Sequence, residues 1–162
     1  MAIIDRQTID DFFKKDKIAV VGASRSEKKY GGMLFKELMK KGIDVIPVNP
    51  QADEIQEKKA YATLKAIPDT IDVDSAIIVV PAEAQADAVL DAADAGFKTV
   101  WLHEHVMKGV SNPKAIYLAE DKGLTCITGY CPFMFIPGSG FPHNAHKFIM
   151  KLFGALPKDR QK

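Results

Sequence analysis

Five short apolar runs, several of them rich in valine and isoleucine, recur along the 162-residue chain. They span residues 17–22, 43–48, 75–80, 99–103 and 124–128. The first run is continuously apolar, which is typical of a strand that is buried on both faces. Helical patterns separate most of these runs, and strands that alternate with helices in this way indicate a parallel sheet. Because crossovers are right-handed, we predict an α/β fold of the Rossmann-like, doubly wound type, with five mainly parallel strands and helices on both faces.

The predicted helices cover residues 31–41, 82–95 and 112–122. Gly42 and Gly96 follow the first two of them, as glycine commonly does at a helix end. A short helix with Ile9, Phe12 and Phe13 on its apolar face is expected before the first strand. Thr8 is the predicted capping residue of that helix.

The end of the chain has a different character. A break that is rich in glycine, at residues 137–140, precedes a predicted helix at about 141–154 with an apolar face. That face must be covered, either by the domain itself or by a partner, such as a second copy or a ligase subunit. We therefore expect a single domain over residues 1–162, with its core at about 17–132 and a helical C-terminal extension.

Composition argues against several classes of function. The formal net charge is +1, which gives no electrostatic case for binding nucleic acid or an anionic membrane. No run of residues reaches the roughly 18 apolar positions that a spanning helix needs, and the N-terminus does not resemble a signal peptide. The two cysteines, Cys126 and Cys131, are therefore expected to be free thiols in a cytoplasmic protein.

The segment after the first strand has the composition of a phosphate-binding loop. Its residues are Gly22, Ala23, Ser24, Arg25 and Ser26. Glycine permits a sharp turn, the serines offer hydroxyl groups, and the helix that begins near Tyr30 presents backbone N–H groups to an anion. The pattern Gly-x-Gly-x-x-Gly of dinucleotide-binding domains is absent, since Ser24 stands where the second glycine would be.

The second strand narrows the choice of nucleotide. Domains that bind NAD usually carry an acidic residue at the tip of that strand, where it accepts hydrogen bonds from the ribose. Here the strand ends at Asn49 and Pro50, while Arg25, Lys28 and Lys29 add positive charge to the first loop. A missing acid and several cations favour a nucleotide with an extra phosphate on its ribose, and both NADP and coenzyme A fit that description.

Four short motifs together resemble a known family. They are Val-Gly-Ala-Ser at 21–24, Pro-Val-Asn-Pro at 47–50, Ile-Val-Val-Pro-Ala at 78–82 and Gly-Tyr-Cys-Pro at 129–132. In this order and spacing they are similar to the coenzyme A-binding domain family, which includes the N-terminal domain of the succinyl-CoA synthetase α subunit and small stand-alone proteins.

The resemblance implies a set of contacts with coenzyme A or an acyl-CoA. It implies that the first loop holds the nucleotide and that Asn49 and Pro50 line the adenine side. Further contacts are implied at the ends of the third and fourth strands, at Val80, Pro81, Leu102, His103 and Glu104. Two positions depart from the synthetases: His103 replaces a threonine, and Gln51 follows Pro50 where a basic residue is usual.

Cys131 lies just after the fifth strand, on the side of the sheet where a ligand is expected, so a mixed disulfide with the ligand's own thiol is conceivable. A packing role is the alternative for Cys131.

No metal site is predicted, because His103, His105, His143 and His146 show no closed ligand spacing.

The resemblance implies no ligase activity, since synthetase chemistry needs a phosphorylated histidine in a second domain. We expect non-catalytic binding of coenzyme A or acyl-CoA, as a carrier, sensor or regulatory module. An NADP-linked oxidoreductase and a non-catalytic subunit of an acyl-CoA ligase are the alternatives.

Overall fold

The computed structural model describes residues 4–103 and 111–136, and in them the five predicted runs form one sheet. The strands are β1 (Lys17–Val21), β2 (Asp44–Val48), β3 (Glu54–Ile55), β4 (Lys58–Lys59), β5 (Ser75–Ile78), β6 (Thr99–Leu102) and β7 (Thr125–Ile127). The main sheet has the order β2-β1-β5-β6-β7, and all of its neighbouring strands are parallel. The predicted Rossmann-like fold with a five-stranded parallel sheet is confirmed.

Helices cover both faces of this sheet. They are α1 (Arg6–Phe13), α2 (Tyr30–Lys40), α3 (Ala82–Asp94) and α4 (Pro113–Asp121). Alternate side chains of each strand point to opposite faces, so that Ile18 and Val20 belong to one core and Ala19 to the other. The first core is formed with α1 and α2, and the second with α3 and α4. Trp101 is fully buried in the first core, where the rings of Phe12 and Phe13 lie 5.4 and 5.5 Å from it.

The strand order creates a crevice at the centre of the sheet. From β1 the chain passes through α2 to β2, at one edge. From β5, the neighbour of β1, it passes through α3 to β6, in the other direction. Connections that diverge from adjacent strands leave a gap beyond the carboxyl ends of those strands, which is where ligands bind in such sheets.

A small antiparallel hairpin of β3 and β4 follows β2 and was not predicted. Each strand has only two residues, too few for a period-two pattern to be visible in the sequence. Gln56 and Glu57 form the turn, with φ angles of 48° and 65°, and Ile55 is fully buried beside α2. The hairpin is thus anchored to the first core by one side chain.

Two further expectations concern the ends of the chain. The predicted cap of α1 was wrong: the helix begins at Arg6, and the Asp5 carboxylate caps it by accepting a hydrogen bond of 2.8 Å from the Thr8 backbone N–H. The predicted helix at 141–154 lies outside the described residues. Within the described residues, no helix is both long enough and apolar enough to cross a membrane.

Candidate ligand-binding site

The carboxyl ends of the strands are joined by backbone hydrogen bonds into one continuous edge. Gly22 N–H donates to the Val48 carbonyl over 3.0 Å, and Val79 N–H donates to the Val21 carbonyl over 2.8 Å. Farther along, His103 N–H donates to the Ile78 carbonyl over 3.0 Å. The predicted site residues that the structure describes follow these strand ends, so they lie along the same edge.

The loop after β1 lies directly on the first turn of α2. A Cβ atom built on Gly31 would be 2.2 Å from the Gly22 carbonyl oxygen, and one on Gly32 would be 2.2 Å from the Ser26 carbonyl oxygen. Gly22 has a φ of +88°, and a Cβ atom there would be 2.8 Å from the Val79 carbonyl oxygen. These three contacts leave no room for a side chain. The close approach of loop and helix is therefore built by backbone atoms.

The serine hydroxyls of this loop shape it from within. Ser24 Oγ accepts a hydrogen bond from Ser26 N–H over 3.1 Å, and Ser26 Oγ accepts one from Lys28 N–H over 3.4 Å. Each hydroxyl retains its own O–H, which can donate to an anion. Lys29, the residue before α2, makes no side-chain cap, and the first turn of α2 contains no acidic residue. The loop thus favours negative charge at this end of the helix.

Asn49 and Arg25 connect the loop to the region that follows β2. Asn49 Nδ2 donates to the Ala23 carbonyl over 2.9 Å, and Asn49 Oδ1 accepts from Gln51 N–H over 2.8 Å. Arg25 Nε donates to the Glu54 carbonyl over 3.2 Å. Pro50 is exposed beside this junction. The Asn49 side chain holds the loop against the tip of β2, a role that the sequence did not indicate.

A cluster of three side chains, Tyr30, His103 and Cys131, lies farther along the same edge. The Tyr30 ring stacks on the His103 ring with 3.7 Å between centroids and 12° between planes. The Tyr30 hydroxyl oxygen lies 3.4 Å from Cys131 Sγ, and Phe133 contacts the same ring edge-on at 5.4 Å. Each of the three residues was predicted for the site singly, but nothing in the sequence indicates that they are in contact.

Burial controls the ionisation of this region. Loss of hydration raises the pKa of Tyr30 well above its ordinary value of 10, and the neighbouring Cys131 raises it further. The phenol is therefore protonated throughout the neutral range. Cys126, in β7, is a different case: burial first, and then the charge of Glu120, raise its pKa to about 12. That cysteine remains a thiol under ordinary conditions.

A buried glutamine, which the sequence did not suggest, fixes the end of β6. Gln85 is 2% exposed; its Nε2 donates to the His103 carbonyl over 3.3 Å and its Oε1 accepts from Asn112 N–H over 2.9 Å. Asn112 caps α4 through Lys114 N–H and also donates to the Ala82 carbonyl over 2.9 Å. The only sequence signal for this network is Asn112 before Pro113, a usual helix start.

The remaining predicted residues differ in accessibility. Val80 is half-buried, and Pro81 is exposed at the start of α3. Leu102 is fully buried in the second core, and no part of it is exposed at the edge. Lys28 and Lys29 are exposed, and Glu104 lies outside the described residues. Residues 4–103 and 111–136 contain no group of three or more metal-ligating side chains that could hold an ion.

Comparisons with known proteins agree with this geometry. The α subunit of an ADP-forming acetate–CoA ligase (II) from Pyrococcus furiosus is 42% identical over 93 residues, which are 57% of this chain and 20% of that subunit. Among solved structures, a conserved hypothetical protein from Pyrococcus furiosus shares 36% identity with a TM-score of 0.62, covering 71% of this chain and 94% of its own. A dinucleotide-forming acetyl-coenzyme A synthetase 1 from Ca. Korarchaeum cryptofilum, in its apo form, shares 30% identity with a TM-score of 0.63, covering 73% of this chain and 27% of its own.

The chain therefore spans about a fifth of the ligase subunit that it matches, but nearly the whole of the small archaeal protein. The sequence pattern of the CoA binding domain matches residues 16–137, which include β1 to β7 and the edge described above. The match covers well over half of the protein, and so the chain belongs to the CoA-binding domain family.

Proposed function

We propose that the protein binds coenzyme A or an acyl-CoA through its nucleotide part and catalyses no reaction on it. The observation that carries this proposal is the contact of the β1–α2 loop with Gly31 and Gly32 at the central crevice of the sheet. Packed this closely, the loop lies at the N-terminal end of α2, where the helix dipole favours an anion such as a phosphate. Membership of the CoA-binding domain family supports coenzyme A as the source of that phosphate.

The tip of β2 favours coenzyme A over NAD. Asn49 occupies the position of the usual ribose-binding acid, and its amide is already bonded to the Ala23 carbonyl. Arg25, whose Nε donates to the Glu54 carbonyl, brings positive charge near the same place, and Lys28 and Lys29 add positive charge to the loop. In the proposed complex they lie near the 3′-phosphate, with Ala23, Ser24 and Ser26 beside the diphosphate and Pro50 beside the adenine.

The thiol arm of the ligand then extends along the edge toward β6 and β7. In this proposal Val80, Pro81, His103 and Glu104 line its path, with Leu102 beneath them and Cys131 at the far end. The chemistry of the cluster supports binding rather than catalysis. Tyr30 holds its proton and His103 is 4% exposed beneath the Tyr30 ring, so neither is presented as a nucleophile or base.

A second candidate function is that of a non-catalytic subunit working with a separate ligase subunit. The similarity to the α subunit of an ADP-forming acetate–CoA ligase favours it. Residues 141–154 are the proposed dock for that subunit or for a second copy of the chain. Affinity purification from the native cell followed by mass spectrometry tests this candidate, which predicts a ligase subunit at stoichiometric yield.

Both cysteines are free thiols, and we propose that the protein acts in the cytoplasm.

Isothermal titration with coenzyme A, dephospho-coenzyme A, NAD and NADP, each against the same protein preparation, tests the main proposal. We expect coenzyme A to bind most tightly. Arg25→Glu is expected to weaken coenzyme A about ten- to a hundredfold and dephospho-coenzyme A much less, because a charge-assisted hydrogen bond contributes roughly 1.5–3 kcal/mol. Binding of NADP in preference to coenzyme A would overturn the proposal and favour an oxidoreductase.

A further inference from the structure

The β3–β4 hairpin is fixed to the domain independently of any ligand. Ile55 is fully buried in the same core as α2, and Ala60 N–H donates to the Asp53 carbonyl over 2.8 Å where the hairpin closes. After β4, Asn49 N–H donates to the Tyr61 carbonyl over 2.9 Å, which joins the end of the hairpin to the tip of β2. The hairpin is therefore a firm support beside the tip of β2, where a doubly wound domain contacts the ribose of its ligand.

Two hydrogen bonds connect this support with the phosphate-binding loop and its helix. Arg25 Nε donates to the Glu54 carbonyl over 3.2 Å, and Gln56 Nε2 donates to the Gly32 carbonyl over 3.2 Å. With Nε–H engaged, the guanidinium retains four N–H groups on its two terminal nitrogens. The carbonyl thus orients the plane of the guanidinium and leaves its outer side available for an anion.

The conformation of the hairpin turn is unusual for the residues that form it. Gln56 and Glu57 have φ angles of 48° and 65°, in the left-handed region that glycine and asparagine adopt more readily. A glutamine in this position costs stability relative to those residues. Its side chain is long enough to reach the Gly32 carbonyl, whereas the asparagine side chain is one methylene shorter.

We propose that the hairpin determines the preference for a ribose with a 3′-phosphate, because the Glu54 carbonyl and Gln56 together hold the Arg25 guanidinium beside the loop. This inference rests on the proposed function and adds Gln56 to it as a positioning residue. Gln56 holds the hairpin against the first turn of α2, and the hairpin holds Arg25. According to this proposal, the positive charge of Arg25 does not by itself produce the preference for coenzyme A over dephospho-coenzyme A, because the guanidinium must also be held in place.

Gln56→Asn separates this role from a general effect on stability. Asparagine suits the left-handed turn, so the melting temperature is expected to stay the same or to rise, but its amide does not reach the Gly32 carbonyl. The ratio of the affinities for coenzyme A and dephospho-coenzyme A, measured by titration, is expected to fall about tenfold. Glu57→Asp, at the exposed neighbouring position with the same charge, is the matched control and leaves the ratio unchanged.

The coupling between Gln56 and Arg25 is tested with Arg25→Lys, which keeps the charge but loses the planar guanidinium. In the Arg25→Lys protein, the further substitution Gln56→Asn is expected to cause no additional change in the ratio of the affinities for coenzyme A and dephospho-coenzyme A. An unchanged ratio in the single variant Gln56→Asn would overturn the inference, as would an equal fall of the ratio in both backgrounds. If the unsubstituted protein fails to bind coenzyme A at all, the proposed function is overturned rather than the role of the hairpin alone.

Discussion

The two parts of the candidate site are built in different ways. Around the β1–α2 loop, backbone atoms make the decisive contacts, and a Cβ atom on Gly22, Gly31 or Gly32 would lie within 3 Å of a carbonyl oxygen. At the far end of the edge, side chains make them: the Tyr30 ring against His103, and its hydroxyl against Cys131. One part tolerates almost no added atom, while the other consists of groups that can be removed one at a time.

Because of this difference, substitutions in the first part alter the path of the backbone, and substitutions in the second part alter only the local chemistry. Where backbone atoms touch, a substitution alters the path of the chain, and both stability and binding are expected to change together. Where side chains touch, the fold can persist after a substitution, and only the local chemistry changes. Tyr30 belongs to both parts, since it is the first residue of α2 and reaches across the edge to the cluster.

Gly31→Ala is expected to have the largest effect on the backbone-built part. Alanine is the better helix former by about 1 kcal/mol, so propensity alone would stabilise α2. The added Cβ atom would instead lie 2.2 Å from the Gly22 carbonyl oxygen, and overpacking of this kind costs up to about 3 kcal/mol. After the gain in helix propensity is subtracted, we expect a net loss of about 2 kcal/mol in the free energy of unfolding, measured with urea, and loss of detectable coenzyme A binding.

Gly123→Ala is the control for that experiment. Gly123 has a φ of +72° and open space around its would-be Cβ atom, so the cost is limited to backbone strain of about 1 kcal/mol. Binding of coenzyme A should be unaffected. A Gly31→Ala protein that is as stable as the Gly123→Ala protein would mean that loop and helix can separate, and that the two parts of the site do not differ as we describe.

The backbone-built part was also the more predictable from the sequence. Apolar runs revealed the strands, and Gly22 with the serines after it marked the loop, because each of these features depends on local sequence. Contacts between distant residues leave no such local trace. The roles of Asn49, Gln85 and the stacked ring of Tyr30 depend on partners 26, 18 and 73 positions away in the chain, respectively.

Asn49→Ala tests whether the tip of β2 belongs to the backbone-built part. The substitution removes the hydrogen bonds to the Ala23 carbonyl and from Gln51 N–H, at about 1 kcal/mol each, so we expect a loss of about 2 kcal/mol in urea unfolding. Coenzyme A should bind more weakly, because the loop loses its attachment to β2. Asp91→Ala also removes two side-chain hydrogen bonds from backbone N–H groups, and is the matched control, since it lies near the C-terminal end of α3, away from the edge. We expect the two variants to have similar stability, and only Asn49→Ala to bind coenzyme A more weakly. An equal loss of coenzyme A affinity in both variants would contradict this prediction.

Tyr30→Phe is expected to have the smallest effect, and it addresses the side-chain-built part. Burial raises the pKa of the folded phenol well above 10, so at high pH the unfolded chain releases a proton that the folded chain retains. The stability that Tyr30 contributes is therefore complete below about pH 10 and is lost as the pH rises above that value. The loss grows as the pH rises further, until the folded phenol itself ionises.

Phenylalanine has no proton to release, so the variant should lack this part of the alkaline decline. Urea unfolding of both proteins at pH 8 and pH 11 measures it: between these two pH values the difference in stability should shift in favour of the variant. Tyr117→Phe, at a side chain that is 65% exposed, is the control and should shift far less. Coenzyme A affinity at pH 7 should remain within about twofold, because the ring, its stacking on His103 and the backbone of α2 are all retained. A large loss of affinity would instead show that the hydroxyl takes part in binding, so that the two parts of the edge act as one.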